Sequence, residues 1–216
     1  MANLNLYRIT YITGFIGSIV ILLGSLLTAL AYSGKQGQAY SPLNHFVSEL
    51  GEIGVSEAAV IFNTSLIIGG VCLAIFLVGL ALQFTGWFRY VLGLLGLVAG
   101  VSGMLVGVFP MNNLEAHTTV ALTFFNTGWI VVALFSLYIL LRRQERFPLW
   151  LIIPGVITVA SFLAFLNAIS GLDGEALAAP SDRVAVWNVT VFEWLLIVGV
   201  LVWAFLVSFQ MRRTEK

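Results

Sequence analysis

The chain has 216 residues, of which 60% are hydrophobic and only 9% charged, and its formal net charge is zero. An average soluble domain carries about 25% charged residues, so a water-soluble fold is excluded, and the absence of a basic patch excludes nucleic acid as a partner. The single cysteine, Cys72, lies inside an apolar run, which excludes an intramolecular disulfide.

A spanning helix needs about 20 mostly apolar residues to cross a hydrocarbon core about 30 Å thick. Six stretches qualify, near Tyr7 to Tyr32, Glu57 to Phe84, Phe88 to Phe109, Thr118 to Leu141, Leu149 to Ser170 and Trp187 to Phe209. They predict an all-α, six-span bundle in which residues 1–216 form a single transmembrane domain. In the first stretch, Ala29-Leu30-Ala31 resembles a signal-peptidase site, but the apolar run is longer than a signal core and has only Arg8 as its basic flank. The stretch is therefore expected to be retained as a span.

Between the first two spans, Ser33 to Ser56 carries a helix signature of its own. Ser41 is a capping residue, Pro42 suits a first turn, and Gly51 can end a helix over Pro42 to Leu50. Leu43, Phe46, Val47 and Leu50 share one face at helical spacing, with Asn44, His45, Ser48 and Glu49 on the other. This amphipathic element is expected to lie at the interface or to dip into the mouth of the bundle.

The second span places Asn63 about 9 Å from its start at 1.5 Å per residue. The third carries Gly93, Gly96, Gly100, Gly103 and Gly107 along one stripe, which permits close helix approach, either within the chain or in a homo-oligomer. Pro110 ends it. The turn that follows supplies Asn112, Glu115 and His117, of which His117 is expected to stabilise the start of the fourth span. Asn126 lies inside that span, Asn167 inside the fifth and Glu193 inside the sixth, while Pro154 is expected to kink the fifth. Trp87, Trp150, Trp187 and Trp194 read mainly as interface anchors.

Lysine and arginine set the orientation. With the N-terminus inside, Arg8, Arg89, Arg142, Arg143, Arg146, Arg212, Arg213 and Lys216 are cytoplasmic, and only Lys35 and Arg183 are external. Both termini are thus expected in the cytoplasm, with the protein integral to a prokaryotic cytoplasmic membrane. The intramembrane polar residues then all fall in the outer half or near the midplane, below the outer groups His45, Ser48, Glu49, Asn112, Glu115 and His117.

That layering predicts an outward-facing polar pocket with Asn44, Asn63, Asn112, Asn126 and Asn167 among its binding residues. His45 and Glu49, four apart, would be neighbours on one helix face. Together with His117 and Glu193 they make a two-histidine, two-carboxylate set of the kind that holds zinc or another divalent metal. Buried ionisable groups in spans are costly, which marks Glu193 as a functional candidate. His45, Ser48, Glu49, His117 and Glu193 are the catalytic candidates, with Ser48 as nucleophile. For each there is a plainer role as a structural hydrogen-bonding group.

The segments Ser41 to Gly51, Phe62-Asn63, and Phe109-Pro110 followed by His117-Thr118 resemble the signature of a prokaryotic membrane family, domain of unknown function 998, across nearly the whole chain. That family is distantly similar to the Frag1, DRAM and Sfk1 membrane proteins, associated with lipid remodelling, lipid asymmetry and autophagy, so the resemblance implies a lipid-related role. Three readings follow. The first is a protein that binds or senses an outer-leaflet membrane lipid or amphiphile without turnover. The second is an intramembrane, metal-dependent lipid hydrolase or acyl-modifying enzyme. The third is a small proton-coupled transporter, disfavoured by the apolar inner half.

Overall fold

The computed structural model describes residues 4–143, 146–172 and 183–215. Six of its helices are long and apolar enough to cross a membrane: α1 (Leu4–Ala31), α2 (Ala59–Ala81), α3 (Phe88–Val108), α4 (Leu114–Arg142), α5 (Ile152–Ile169, entered through a 3-10 turn at Leu149–Leu151) and α6 (Asn188–Arg213). No β-strand occurs among the described residues. Each helix packs on its sequence neighbours, and α6 closes back on α1, so the six form a ring.

Both ends of the described chain meet at one end of this ring, the terminal end. There the Tyr7 hydroxyl donates to the Met211 carbonyl at 2.9 Å and the Tyr11 hydroxyl to Glu215 Oε2 at 2.8 Å, beside an Arg8–Glu215 ion pair. The neighbouring half of the axis is filled by aromatic rings. Trp203 of α6 makes edge contacts with Phe76 of α2 and Phe135 of α4, with centroids 6.0 and 5.4 Å away, and Phe84 packs on Tyr138 at 4.5 Å.

The fourth helix starts four residues earlier than its apolar run because Asn113 caps it, its side chain accepting from the Ala116 N–H at 3.2 Å. Pro154 sits in the first turn of α5, where the leading N–H groups of a helix have no intrahelical partner. One other expectation is corrected. The amphipathic element is not an α-helix over Pro42 to Leu50. A single turn closes on the Ser41 carbonyl, which accepts from the His45 N–H at 2.9 Å, and the chain becomes extended at Phe46. A 3-10 helix then runs over Val47–Gly51, its free N-terminal end tied by Glu49 Oε1 accepting from the Phe46 N–H at 2.8 Å.

The glycine stripe of α3 is used within the chain. A Cβ on Gly100 would come within 2.4 Å of the Ala74 Cα, on Gly96 within 2.8 Å of the Leu77 Cβ, and on Gly107 within 2.5 Å of the Asn63 carbonyl. These approaches bring the α2 and α3 backbones together. Gly103 instead faces Phe124 of α4, at 3.5 Å.

Candidate functional site

The segment between α1 and α2 caps the end of the ring opposite the termini. Of the predicted apolar face Phe46, Val47 and Leu50 are buried and Leu43 is exposed, while two polar residues expected on the opposite face are buried: His45 is 2% exposed and Glu49 1%. The cap therefore sinks into the bundle mouth, and each of its polar groups must find a partner there.

Most partners come from the far end of the sequence. Glu193 of α6 accepts the Val47 N–H on Oε2 at 2.6 Å, Trp194 Nε1 donates to the Tyr40 hydroxyl at 2.8 Å, and the Trp187 N–H donates to the Leu43 carbonyl at 2.7 Å. Arg183 grips the cap from above, donating to Glu49 Oε2 at 2.6 Å, to Oε1 at 3.1 Å and to the Asn44 carbonyl at 2.7 Å. From α2, Asn63 Nδ2 donates to the Gly51 carbonyl at 2.9 Å. From the turn after α3, Asn112 forms two bonds with the Ile53 backbone, at 2.8 and 2.9 Å.

Burial dominates the electrostatics of the cap. It pushes the Glu49 carboxyl above its ordinary value of 4.5, although Arg183 and the Phe46 N–H pull the other way. It also holds the His45 imidazole down at about 4, helped by the charge of Arg183. The His45 ring packs on Tyr32 and Tyr40 with centroids 5.5 and 5.2 Å away, its Nδ1 lies 2.8 Å from Asn44 Oδ1, and its Nε2 is buried with no partner among the described residues.

Beneath the cap lie two cavities. One, of about 90 Å³, runs down the bundle axis from Glu193 to Trp203 and is lined by Gly70, Gly100, Gly103 and Gly128 together with apolar side chains. The other, of about 350 Å³, lies between α4 and α5 under Phe46 and Met111. Its wall includes Leu122 and Ser170, which are exposed on the outside of the bundle, so among the described residues it opens sideways. Ser48, His117, Ala121, Phe125 and Glu193 line both cavities, which are therefore adjacent.

The predicted site residues divide accordingly. Ser48, His117 and Glu193 meet at the shared wall. His117 donates from Nδ1 to the Phe109 carbonyl at 2.8 Å, while the Ser48 hydroxyl donates to Met111 Sδ at 3.2 Å. His45 and Glu49 lie in the cap outside both cavities, and the break at Phe46 removes their shared helix face. Among the described residues no three histidine, cysteine, aspartate or glutamate side chains come close enough to hold a metal. The members of the expected set are each hydrogen-bonded elsewhere: His45 to Asn44, Glu49 to Arg183, His117 to the Phe109 carbonyl and Glu193 to the Val47 N–H.

None of the five asparagines lines either cavity. Asn44, Asn63 and Asn112 tether the cap; Asn44 Nδ2 donates to the Val184 carbonyl at 3.0 Å. Asn126 and Asn167 are exposed on the outside of the bundle, and Asn126 donates to the Leu122 carbonyl of its own helix at 2.8 Å. Sequence reading missed Tyr40 and Arg183, and took Trp194 for an anchor. Arg183 had a signal, as one of two basic residues on its side of the chain; Tyr40 had none.

These features define a class: an integral membrane protein of six helices whose capped end encloses apolar space marked by a few polar groups. The family described as Protein of unknown function (DUF998) matches residues 15–210, and the chain belongs to it. No curated protein and no solved structure matches the chain.

Proposed function

We propose that the protein binds one membrane amphiphile in the cavity between α4 and α5, without turning it over. The observation that carries this reading is the cavity itself. At about 350 Å³ it falls within the range of about 300 to 1,000 Å³ of small-molecule sites, and like them it pairs apolar walls with a few convergent polar groups. Its side opening suits a ligand arriving from the bilayer. The excess of Lys and Arg at the terminal end supports cytoplasmic termini and an outer cap, an orientation in which the ligand comes from the outer leaflet.

The hydrolase reading has less support. Ser48 gives its proton to a thioether rather than to His117, so no base activates the nucleophile. A transport path has less still, since the aromatic plug around Trp203 closes the axis below the small cavity.

Mass spectrometry of the intact protein released from micelles tests the proposal. The wild-type chain should retain one amphiphile, and Ala121→Phe, which fills the wall common to both cavities, should lose it while keeping its helical circular dichroism. A wild-type chain that carries nothing, and takes up no amphiphile added in excess, would overturn the proposal.

A further inference from the structure

Resting on that reading, we infer that the head of the bound amphiphile is a primary amine, received between Glu193 and His117. Glu193 is 5% exposed, lines both cavities and satisfies Oε2 with the Val47 N–H; Oε1 has no hydrogen-bond partner among the described residues. His117, 6% exposed, lines the same wall. The Phe109 carbonyl can only accept, so the proton of the neutral ring is on Nδ1 and Nε2 presents a lone pair. Glu193 and His117 both line the space, and each has an acceptor atom that calls for a donor.

Charge selects among donors. Among the described residues no lysine or arginine lines either cavity, and Glu193 is the one ionisable carboxyl that does. Arg183, the cation of the cap, is held by Glu49. A phosphate or carboxylate head would enter an apolar space with no counter-charge and beside a carboxylate, which is costly at low dielectric. An ammonium head would pair with Glu193 and donate to His117 Nε2, leaving its hydrocarbon chain to Phe125, Phe165 and Leu166. Glu193 then serves two purposes, holding the ligand on one oxygen and the cap on the other.

The test compares dodecylamine, dodecanol, dodecyltrimethylammonium, dodecanoate and dodecyl phosphate on the full chain in nanodiscs, scored by intact-protein mass spectrometry against empty nanodiscs. Dodecylamine should bind at least tenfold more tightly than dodecyl phosphate or dodecanoate. The trimethylammonium compound should be weaker than the amine, since it has charge but no N–H. Glu193→Gln should remove the advantage of amine over alcohol while dodecanol still binds; if that variant fails to fold, the wild-type series decides alone. Tighter binding of an anionic head, or equal binding of the amine and the trimethylammonium compound, would overturn the inference and leave the amphiphile proposal standing. Binding of none of the five would remove the proposal itself.

Discussion

Arg183→Met tests how the cap is held. The substitution removes three hydrogen bonds, two to Glu49 and one to the Asn44 carbonyl, and leaves a carboxylate that is 1% exposed facing an apolar side chain. Breaking a buried pair by deleting one partner costs about 3 to 5 kcal/mol. At 1.4 kcal/mol per factor of ten, local opening of the cap should rise by at least about a hundredfold. In Glu49→Gln/Arg183→Met no charge is stranded, and opening should return most of the way to the wild-type level. The assay is hydrogen exchange of the Val47–Gly51 amides, corrected for intrinsic rates.

The same pair predicts a pH dependence. Glu49 already binds its proton more tightly in the folded cap than its ordinary 4.5 implies. Its contribution therefore favours the closed cap at low pH and is lost as pH rises through the folded value. Removing Arg183 takes away the main influence in the opposite direction, so the excess opening of the single variant over the double should shrink as pH falls from 8 to 6. His45 is present in both variants and cancels. A single variant no more open than the double at pH 8 would refute the reasoning.

His45 titrates with the opposite sign: held at about 4 instead of 6.5, it favours the closed cap above that interval, so wild-type protection should fall as pH drops from 6.5 toward 4, and His45→Gln should flatten the fall. On the α3 stripe, Gly100→Ala should cost about 1 to 3 kcal/mol, because its Cβ would meet backbone 2.4 Å away. Gly93→Ala, with its neighbour at an ordinary 3.5 Å, should leave the thermal midpoint in detergent unchanged. Asn112→Ala should loosen the turn around Ile53 by about 1 to 3 kcal/mol, read by proteolysis of the cap, whereas Asn126→Ala, on the lipid-facing side, should change it by less than about 0.5 kcal/mol.

The spans were readable because hydrophobic length alone identifies a membrane helix, and their ends differ from expectation by a few residues, at the start of α4 because Asn113 caps it. The cap was not. Its helical periodicity is real, but periodicity reports which residues want to be buried and assumes the others face water. Here His45 and Glu49 are buried as well, because Arg183, Tyr32 and Tyr40 enclose them, and those contacts join residues too far apart in sequence for spacing to reveal. Depth along a span found Glu193 and misled on Asn126 and Asn167. Depth says how far into the membrane a side chain lies and nothing about whether it points inward. An asparagine that bonds its own helix can face outward at little cost.

Val47 meets Glu193 across 146 positions of sequence, and Tyr40 meets Trp194 across 154. The cap is made early in synthesis and its fastenings late. While five helices are in place, the Val47 N–H has no carboxylate, the ring is open between α1 and α5, and the pocket lacks one wall. A chain stopped short of α6 would therefore leave these cap groups without their partners. The arrival of the sixth helix closes the ring, seats the cap and completes the wall that the two cavities share in one event.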